Sequence, residues 1–393
     1  MNLAADVLLA LWGAQSFVST FAVAAYRWGL PRPEIPGAEP SVAVVLAVKG
    51  AGDLKAFLLR LRAQSYGRYR IIACVESEED PAFGVLRAAA DEPGPALEVT
   101  VAGLAEYAGQ KVSNLLAALE RLTPDDEVVA FIDADTLPTP LWLPRLIAVL
   151  VNSGRPVATG YRWMTPADDC WSSACLAAAN NAIAALPRGA LPLTIVWGGS
   201  VAMRRTTLDA IRIADYWRGA ISDDAQMGLA LRRAGLLAHA PRQGLVLSPV
   251  SCTWRGFFAF GVRQYRFVYL HKWQSWAIAV ACLWTPPVAL VLTAPSLAAG
   301  SAWTWGALAA LLALGDVRIR LRRSLQRALW RDLDGPRDDR RWRVERLMRP
   351  VWHLVHALAA LSAPLSRTID WAGVRYRVNA PQDVVVMGRK PIA

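Results

Sequence analysis

The feature that most constrains the fold of this chain is residues 273–315, a run without a single Asp, Glu, Lys or Arg. A helix needs about 20 apolar residues to cross the hydrocarbon core of a bilayer, so the run is long enough for two crossings. Pro286-Pro287 and the small residues at 294–301 interrupt it. We therefore predict two transmembrane helices joined by a short uncharged loop, at roughly 273–293 and 302–317.

A second uncharged stretch, residues 7–26, lies near the N-terminus and is also about the length of a membrane span. A cleaved signal peptide would begin with basic residues, whereas the only early charge here is Asp6. The pattern therefore favours a retained transmembrane anchor.

Basic residues orient these spans. Arg27, Arg32 and the Arg-rich segment 317–349 flank them, and the positive-inside rule places such residues on the cytosolic side. The large middle region is then cytosolic, and we expect an integral protein of a bacterial inner or plasma membrane. Residues 350–366 are apolar but short and precede a basic tail, which predicts an interfacial or re-entrant helix.

The charge of the chain is +11, and much of it lies in segment 317–349, beside an apolar block. That position favours anionic lipid headgroups as partners. Nucleic acid is not expected, because the chain has no paired Cys/His finger and no basic region with heptads. The five cysteines lack a C-x-x-C motif and predict neither a disulfide framework nor a zinc site.

The middle region alternates apolar, β-branched runs with helical patterns. This alternation predicts an α/β fold with a doubly wound sheet, in which ligands bind beyond the carboxyl ends of the strands. No G-x-G-x-x-G follows the first run and no P-loop motif occurs, which argues against a nicotinamide enzyme and an ATPase. The predicted strands are 41–48, 70–76, 96–102 and 127–132, and the predicted helices include 53–65 and 111–121.

Two carboxylates, Asp133 and Asp135, follow the predicted strand 127–132. Hard carboxylate oxygens bind Mg²⁺ or Mn²⁺, and such a metal bridges to a substrate diphosphate. Asp is equally suited to a turn or a helix cap. The pair by itself is consistent with either interpretation.

Two further acidic groups carry similar alternatives. Residues 76–80 follow a predicted strand and either accept hydrogen bonds from a uracil or a ribose, or form a solvated turn before a helix that begins at Pro81. Asp223 and Asp224 precede a helical pattern at 225–234. They either cap that helix or supply a general base that deprotonates an acceptor hydroxyl.

Arg263 and Arg266 lie at helical i,i+3 spacing just before residue 273, so they share one face of a helix. Two guanidinium groups on one face can clamp a departing diphosphate. Arginine that flanks a membrane span for orientation alone is the alternative.

The order and spacing of these motifs resemble those of the ceramide glucosyltransferases, which are inverting membrane glycosyltransferases of the family 2/21 type. The resemblance covers about 41–270 together with the layout of the membrane segments. It implies a Rossmann-like nucleotide-sugar domain of the GT-A type with N-terminal and C-terminal transmembrane helices. The motifs are Lys49-Gly50, Glu79-Asp80-Pro81-Ala82, Lys111-Val-Ser-Asn114-Leu115, Asp133, Asp223-Asp224 and Arg263-x-x-Arg266-Phe267.

The resemblance also implies an activity: transfer of a sugar, expected to be glucose, from a UDP-sugar to a ceramide-like membrane lipid, which yields a β-glycolipid. It implies a nucleotide-sugar site, a metal site for Mg²⁺ or Mn²⁺ and a catalytic set. The corresponding residues are Lys49, Asp80, Lys111, Asn114, Asp133 and Phe267 for the nucleotide-sugar; Asp133 and Asp135 for the metal; and Asp224 as base with Arg263 and Arg266 steadying the leaving UDP.

On this interpretation the chain divides into four parts. They are an N-terminal transmembrane anchor at 1–30, a cytosolic glycosyltransferase domain at 40–270, two transmembrane helices at 273–317, and a basic juxtamembrane segment with an interfacial or re-entrant helix and a tail at 318–393.

The chain departs from the family pattern at two positions. Phe267 stands where the family usually has Trp, and Asp223 stands where it usually has Glu. The sugar and the acceptor therefore stay open, and a hopanoid or diacylglycerol transferase fits the same motifs. A processive polysaccharide synthase shares the carboxylates, but Arg263, Phe267 and the small number of spans argue against it. A non-catalytic scaffold would not be expected to keep these carboxylates.

Three features have no assigned role at this stage. The charge-free segments 170–187 and 189–203 are either a buried core or a membrane-facing wall that admits a lipid. Within the second segment, Gly198-Gly199 permits close backbone approach to a ligand, and Trp197 is suited to stack on a sugar. The tail motif W-x-G-x-x-Y at 371–376 resembles the tail of many membrane transferases.

Overall fold

The computed structural model describes residues 3–30, 35–186, 196–241, 244–330 and 336–390. The chain divides into two compact units. The first comprises 1–30, 164–187 and 250–365, and the second comprises 31–163, 188–249 and 366–393.

The strands are β1 Val42–Ala47, β2 Tyr69–Val75, β3 Leu97–Val101, β4 Val128–Ile132, β5 Val157–Thr159, β6 Tyr161–Pro166, β7 Ser200–Arg204, β8 Ala238–His239, β9 Leu245–Val250, β10 Thr368–Trp371, β11 Val374–Ala380 and β12 Asp383–Arg389. The helices are α1 Leu3–Trp28, α2 Leu54–Arg62, α3 Pro81–Ala90, α4 Gln110–Leu119, α5 Trp142–Asn152, α6 Trp171–Ala184, α7 Arg205–Ala210, α8 Ile213–Trp217, α9 Asp223–Arg233, α10 Trp254–His271, α11 Trp273–Ala298, α12 Ala302–Leu329, α13 Pro336–Leu347 and α14 Arg349–Ser362.

A seven-stranded sheet forms the centre of the second unit, in the order β3-β2-β1-β4-β7-β5-β8. The first four of these strands are parallel, which confirms the predicted α/β fold. β7 runs antiparallel to both β4 and β5, so the sheet is mixed. Strand β1 is almost wholly buried, as the β-branched run there predicts for a strand covered on both faces.

Alternate side chains of β1 enter two separate apolar clusters, one on each face of the sheet. Val44 and Leu46 belong to the cluster that includes residues of α2, α3 and α5. Ala43 and Val45 belong to the cluster that includes residues of α4, α8 and α9. This alternation follows from the two-residue period of a strand, and it makes the unit a three-layer α/β domain.

The first unit is helical. Three helices among the described residues, α1, α11 and α12, are long and apolar enough to cross a membrane. α11 continues through Pro286, Pro287 and Pro295 to Ala298, beyond the predicted end near residue 293. Membrane helices tolerate proline where neighbouring groups satisfy the freed backbone atoms.

Helix α12 continues to Leu329, past the predicted end at 317, and so includes part of the Arg-rich segment. Ion pairs within the first unit account for this extension. Arg322 pairs with the buried Glu345, and Arg346 Nε lies 2.6 Å from Asp316 Oδ1. Some of the basic residues of this segment are therefore committed to helix packing.

The charge-free segment 170–187 largely forms α6, and most of its residues are buried. Its side chains pack in a cluster with Phe257, Val344 and Trp352 of the same unit. The structure thus favours the buried-core interpretation for α6. Residues 187–195, which include the first part of the other charge-free segment, lie outside the described residues.

Candidate active site

The carboxyl ends of the parallel strands carry the polar residues of the candidate site. Lys49 follows β1, Glu76 follows β2, and Asp133 follows β4. Because β7 is antiparallel, its first residue, Ser200, pairs with Ile132 at the end of β4. The chain just before β7 therefore reaches the same edge of the sheet, and the backbone N–H of Asp133 donates to Gly199 O at 3.3 Å.

Five charged side chains meet at this edge, and we call them the central cluster: Lys111, Asp133, Asp135, Arg162 and Asp223. The Lys111 ammonium lies 2.7 Å from Asp133 Oδ1 and 3.0 Å from Asp223 Oδ2. The Arg162 guanidinium lies 3.4 Å from Asp133 Oδ2 and 3.5 Å from Asp135 Oδ2. Three carboxylates thus share two cations.

This arrangement shifts the pKa values of the cluster in opposite directions. Burial raises the pKa of Asp223 to about 6, and the nearby charges of Asp224 and Asp133 act in the same direction against the opposing effect of Lys111. Burial also acts to raise the pKa of Asp133, but Lys111 and Arg162 outweigh it and leave that pKa below its usual value. The titrations are linked, because the same ammonium serves both carboxylates.

Lys111 itself is held in its charged form. Burial acts to lower its pKa, yet the charges of Asp133 and Asp223 raise that pKa above the ordinary lysine value. A lysine fixed between two carboxylates keeps their side chains oriented and prevents their mutual repulsion.

Gly198 and Gly199 bring bare backbone against these carboxylates. A Cβ atom on Gly198 would lie 1.9 Å from Asp223 Oδ2, and one on Gly199 would lie 2.4 Å from Asp133 Oδ2. Any other residue would displace the acids. Trp197 is mostly buried here, with the Arg162 guanidinium 5.0 Å from its ring centroid.

Asp223 and Asp224 begin α9, but neither is its N-cap residue. Ser222 is the N-cap, and its hydroxyl accepts a hydrogen bond from Ala225 N at 3.3 Å. Asp223 is instead buried and bonded to Lys111, so the capping role considered for it is wrong. Asp224 is half-buried, and its Oδ1 accepts from Ser222 Oγ at 2.5 Å and from Ala225 N at 2.7 Å.

A second group of polar residues surrounds the ends of β1 and β2, and we call it the nucleotide side. Asp80 caps α3, and its Oδ1 accepts from Gly50 N at 2.9 Å and Ala82 N at 2.8 Å. Its buried Oδ2 has no hydrogen-bond partner among the described residues. Lys49 donates to both oxygens of Glu76, at 2.7 and 2.9 Å.

Asn114 of α4 joins the nucleotide side to the helix that carries Lys111. Its amide Nδ2 donates to Cys74 O at 3.2 Å, and its Oδ1 accepts from Gln110 Nε2 at 2.8 Å. These bonds hold α4 against the end of β2. They position the Lys111 side chain, one helical turn away, for the central cluster.

The predicted residues Lys111, Asp133 and Asp135 are thus in one cluster, with Asp224 beside it on α9. Residues Lys49, Asp80 and Asn114 lie along the neighbouring strand ends. The remaining three, Arg263, Arg266 and Phe267, lie on α10 in the other unit.

On α10, the Arg263 guanidinium lies 5.2 Å from the ring centroid of Phe260, and Arg266 Nε donates to Ala363 O at 3.0 Å. The backbone oxygen of Phe267 bonds to His271 Nδ1 at 2.8 Å. Their contribution to holding the donor stays a prediction.

Sequence analysis missed Arg162, which contacts both predicted metal ligands. No motif surrounds it. The one available signal is a lone charge inside the apolar strand β6, because such a charge needs a partner when buried. The order β4-β7-β5 brings the end of β5, and with it the start of β6, to the edge where Asp133 and Asp135 follow β4.

Asp133 and Asp135 are suited to a divalent cation. Both carboxylates converge on the Arg162 guanidinium, so a positive charge already lies where their oxygens meet. In the part of the chain that the structure describes, no group of three or more His, Cys, Asp or Glu forms a protein-only metal cage. Mg²⁺ and Mn²⁺ sites of nucleotide enzymes need only one or two carboxylates, since phosphate and water supply the other ligands.

Comparison with known proteins identifies the family. The sequence profile of glycosyl transferase family 21 matches residues 8–384. No protein of curated function matches the chain. The mannosyltransferase PcManGT from Pyrobaculum calidifontis, solved in complex with GDP-Man and Mn²⁺, is 20% identical, covers 92% of this chain and 99% of its own, and has a TM-score of 0.53. TarS from S. aureus is 11% identical, covers 89% of this chain and 100% of its own, and has a TM-score of 0.38.

The likeness to the mannosyltransferase supports a GT-A type of fold for the sheet and its helices. The three long apolar helices fit a membrane-associated enzyme. Since the profile spans nearly the whole chain, the protein belongs to glycosyl transferase family 21 and is a glycosyltransferase.

Proposed function

We propose that the protein transfers a hexose, glucose in the first instance, from a UDP-sugar to a hydroxyl group of a ceramide-like membrane lipid, with inversion at the anomeric carbon. The observation that carries this proposal is the central cluster, in which three carboxylates and two cations meet at the carboxyl edge of the sheet. Ligands of α/β sheets bind at this edge.

The nucleotide side supports uracil as the base. Asp80 uses Oδ1 for two backbone N–H groups and has a buried Oδ2 without a partner among the described residues. A buried acceptor left unsatisfied costs about 1–3 kcal/mol, so a ligand donor is favoured there. Uracil offers one N–H on its pairing edge. Guanine offers adjacent donors that suit a carboxylate with both oxygens available, and Asp80 has only one.

The central cluster suits the diphosphate and the reaction that follows. Asp133 and Asp135 would hold a divalent cation, which when bound neutralises charge on the diphosphate. Lys111 and Arg162 lie beside Asp133, and their cations keep that carboxylate ionised and oriented. Residue positions that are fixed before the donor binds lower the cost of reorganisation during transfer.

Asp224 is the proposed general base. Its Oδ1 is fixed by Ser222 and Ala225, while Oδ2 has no hydrogen bond among the residues that the structure describes. We propose that Oδ2 takes the proton of the acceptor hydroxyl as that oxygen bonds to the anomeric carbon. The bond from that carbon to the diphosphate oxygen breaks in the same displacement, and UDP leaves as an anion. A single displacement inverts the α-linked donor to a β-glycoside.

Chain connectivity supports a proposal for the membrane arrangement. The tail 366–393 belongs to the same unit as the sheet, although the chain has passed through α11 and α12 in between. If α11 and α12 both cross, the chain returns to the side it left, and we therefore propose that α14 does not cross. Its 14 residues span about 21 Å, short of the roughly 30 Å hydrocarbon core. With the basic flanks inside, the sheet domain is proposed to be cytosolic.

Product analysis tests the proposed activity. Purified protein in detergent with Mg²⁺ or Mn²⁺ would be given UDP-glucose, UDP-galactose or UDP-N-acetylglucosamine, each with ceramide, diacylglycerol or a hopanoid. We expect a β-linked monoglycosylceramide from UDP-glucose and none from Asp224→Asn. Asp209→Asn, at an exposed carboxylate paired with Arg205, is the matched control and should stay active. If product forms only on another lipid, that lipid replaces ceramide as the proposed acceptor. A polymer would indicate a processive synthase. No transfer with any donor and acceptor pair would contradict the proposal.

A further inference from the structure

The three-stranded sheet β10–β12, which we call the tail sheet, holds residues on which the nucleotide side depends. It includes the W-x-G-x-x-Y motif at 371–376. The strands are antiparallel, with β11 in the middle. Ile369, Val374, Tyr376, Val378 and Val384 are buried. The tail sheet is therefore packed as a folded part of the catalytic unit.

Arg389, at the end of β12, contacts three groups of the nucleotide side. Its Nη1 lies 3.1 Å from Glu76 Oε2, and its Nη2 donates to Ala105 O and to Gln110 Oε1, each at 2.7 Å. Glu76 also pairs with Lys49. The planar guanidinium fork thus fixes the end of β2 relative to the loop and helix that follow β3.

Tyr376, the last residue of the motif, contacts the start of α4. Its hydroxyl oxygen accepts the backbone N–H of Gln110 at 3.1 Å. Gln110 is the first residue of α4, and its N–H has no partner within the helix. The Gln110 side chain then donates to Asn114, so a continuous chain of hydrogen bonds runs from the tail sheet into the helix that carries Lys111.

Three further hydrogen bonds fix the tail sheet to the loop before α4 and to the segment that includes the end of α8. The backbone N–H of Val386 donates to Glu106 O at 2.8 Å, in the loop before α4. Gln382 Nε2 donates to Asp215 O at 2.8 Å and to Arg218 O at 3.2 Å, in the segment before α9. The tail sheet therefore connects the helix that carries Lys111 with the segment that leads to Asp223.

We propose that the tail sheet is a positioning element of the nucleotide-sugar site, acting through Arg389 and Tyr376 on Glu76 and on the first turn of α4. The inference rests on the proposed function, in that this edge of the sheet binds the UDP-sugar. Tyr376 and Arg389 are positioning residues, because each acts through a residue of the site. Loss of either contact loosens Glu76, Asn114 and Lys111 together while the rest of the sheet stays folded.

Nucleotide titration of the full-length protein tests this role. UDP and GDP would each be titrated with Mn²⁺ into the native protein, Arg389→Gln, Arg389→Lys and Tyr376→Phe. We expect Arg389→Gln to weaken UDP binding roughly tenfold, the scale of one charge-assisted contact. Arg389→Lys should recover part of the loss, because it keeps a cation beside Glu76. Tyr376→Phe keeps the ring in place and should weaken binding several-fold.

The matched control is Arg377→Gln, at an exposed arginine of the same tail sheet, which should bind UDP as the native protein does. In turnover, the KM for the donor should rise more than kcat falls, a split that a general loss of fold would not give. Arg389→Gln and Tyr376→Phe variants with native thermal midpoints and native UDP affinity overturn the inference. If the native protein binds GDP and not UDP, the proposed donor is wrong and the variants are judged with GDP. If it binds neither nucleotide, both proposals fail.

Discussion

The nucleotide side and the central cluster lie along the same edge of one sheet but differ in how their charges are balanced. On the nucleotide side, Glu76 has two cations, Lys49 and Arg389, and Asp80 accepts backbone N–H groups. In the central cluster, three carboxylates share Lys111 and Arg162, and the pKa of Asp223 is raised to about 6, foremost by burial.

The difference indicates that the two regions have separate roles, one in binding and one in the reaction. A region whose charges are already paired is preorganised to recognise a ligand without rearrangement. A region with excess carboxylate is suited to gain positive charge and to change protonation during a reaction. The comparison makes separate predictions for the two regions: central-cluster changes should alter rate, metal binding and pH dependence, and nucleotide-side changes should alter donor affinity.

The largest expected effect is that of Asp224→Asn. Loss of a general base costs about 10²–10⁴-fold in rate, so kcat should fall by that factor. Donor binding should be close to native, because Asp224 contacts Ser222 and Ala225 and not the nucleotide side. The measurement is steady-state turnover with UDP titration alongside. A native kcat in this variant would show that Asp224 is not the general base.

Gly198→Ala should have the next largest effect. Its new Cβ would lie 1.9 Å from Asp223 Oδ2, so the carboxylate must leave the position in which it pairs with Lys111. A displacement of about 1 Å in a catalytic constellation can cost roughly 100-fold in rate. Gly84→Ala is the matched control, since a Cβ on Gly84 in α3 meets nothing within 4 Å. Equal rates for the two variants would mean that close approach at Gly198 is unimportant.

The third prediction concerns pH. Because the pKa of Asp223 is raised to about 6, kcat/KM should fall roughly tenfold per pH unit below that value, as the carboxyl gains a proton and releases Lys111. In Asp223→Asn the fall should no longer occur near pH 6, though the maximal rate is lower. If kcat/KM of Asp223→Asn falls at low pH as it does in the native protein, the titration belongs to another group.

A fourth prediction concerns metal affinity without nucleotide. Arg162 lies beside both Asp133 and Asp135, so its guanidinium competes with a divalent cation for their oxygens. Arg162→Gln should therefore bind Mn²⁺ more tightly than the native protein in the absence of UDP, as measured by electron paramagnetic resonance. Arg155→Gln, at an exposed arginine before β5, is the control. Weaker Mn²⁺ binding by Arg162→Gln would contradict the competition.

The smallest effect is on stability. A carboxyl whose folded-state pKa is raised from 3.8 to about 6 contributes stability below its ordinary pKa and loses it as pH rises through 6. Asp223→Asn has no carboxyl at this position, so its stability does not decrease in this way as pH rises. Its thermal midpoint should exceed the native value by a few degrees above pH 6 and match it near pH 4. A lower midpoint at pH 7.5 would show that the ion pair with Lys111 outweighs burial.

Much of the sheet could be predicted from the sequence, because β1, β2 and β4 are continuous apolar runs that end in polar residues. The same signal placed Asp133 and Asp135 at the carboxyl end of a strand, whereas Lys111 was predicted only from the family resemblance. The antiparallel pairing of β7 with β4 could not be predicted, since nothing local specifies which distant strand lies alongside. That pairing brings Gly199 to Asp133.

Other features depend on side-chain surroundings that a linear pattern does not contain. The pair Asp223-Asp224 fits a helix cap as well as a base, and only burial beside Lys111 separates the roles of the two acids. No role could be predicted for the tail motif, because its Tyr376 contacts Gln110, which is far away along the chain. Helix α11 continues past the predicted span through Pro295, and α12 continues into the Arg-rich segment, where an ion pair joins its Asp316 to Arg346 of α13.

The central claim is that the central cluster holds the donor diphosphate together with a divalent cation. Its most direct test is Mn²⁺ binding measured by electron paramagnetic resonance with and without UDP, in the native protein and in Asp135→Asn. Asp135 is 62% exposed, so the substitution should leave the fold intact. The account predicts that UDP strengthens Mn²⁺ binding in the native protein and much less in Asp135→Asn, while Asp209→Asn behaves as native. Equal UDP-dependent Mn²⁺ binding in native protein and Asp135→Asn would contradict the account.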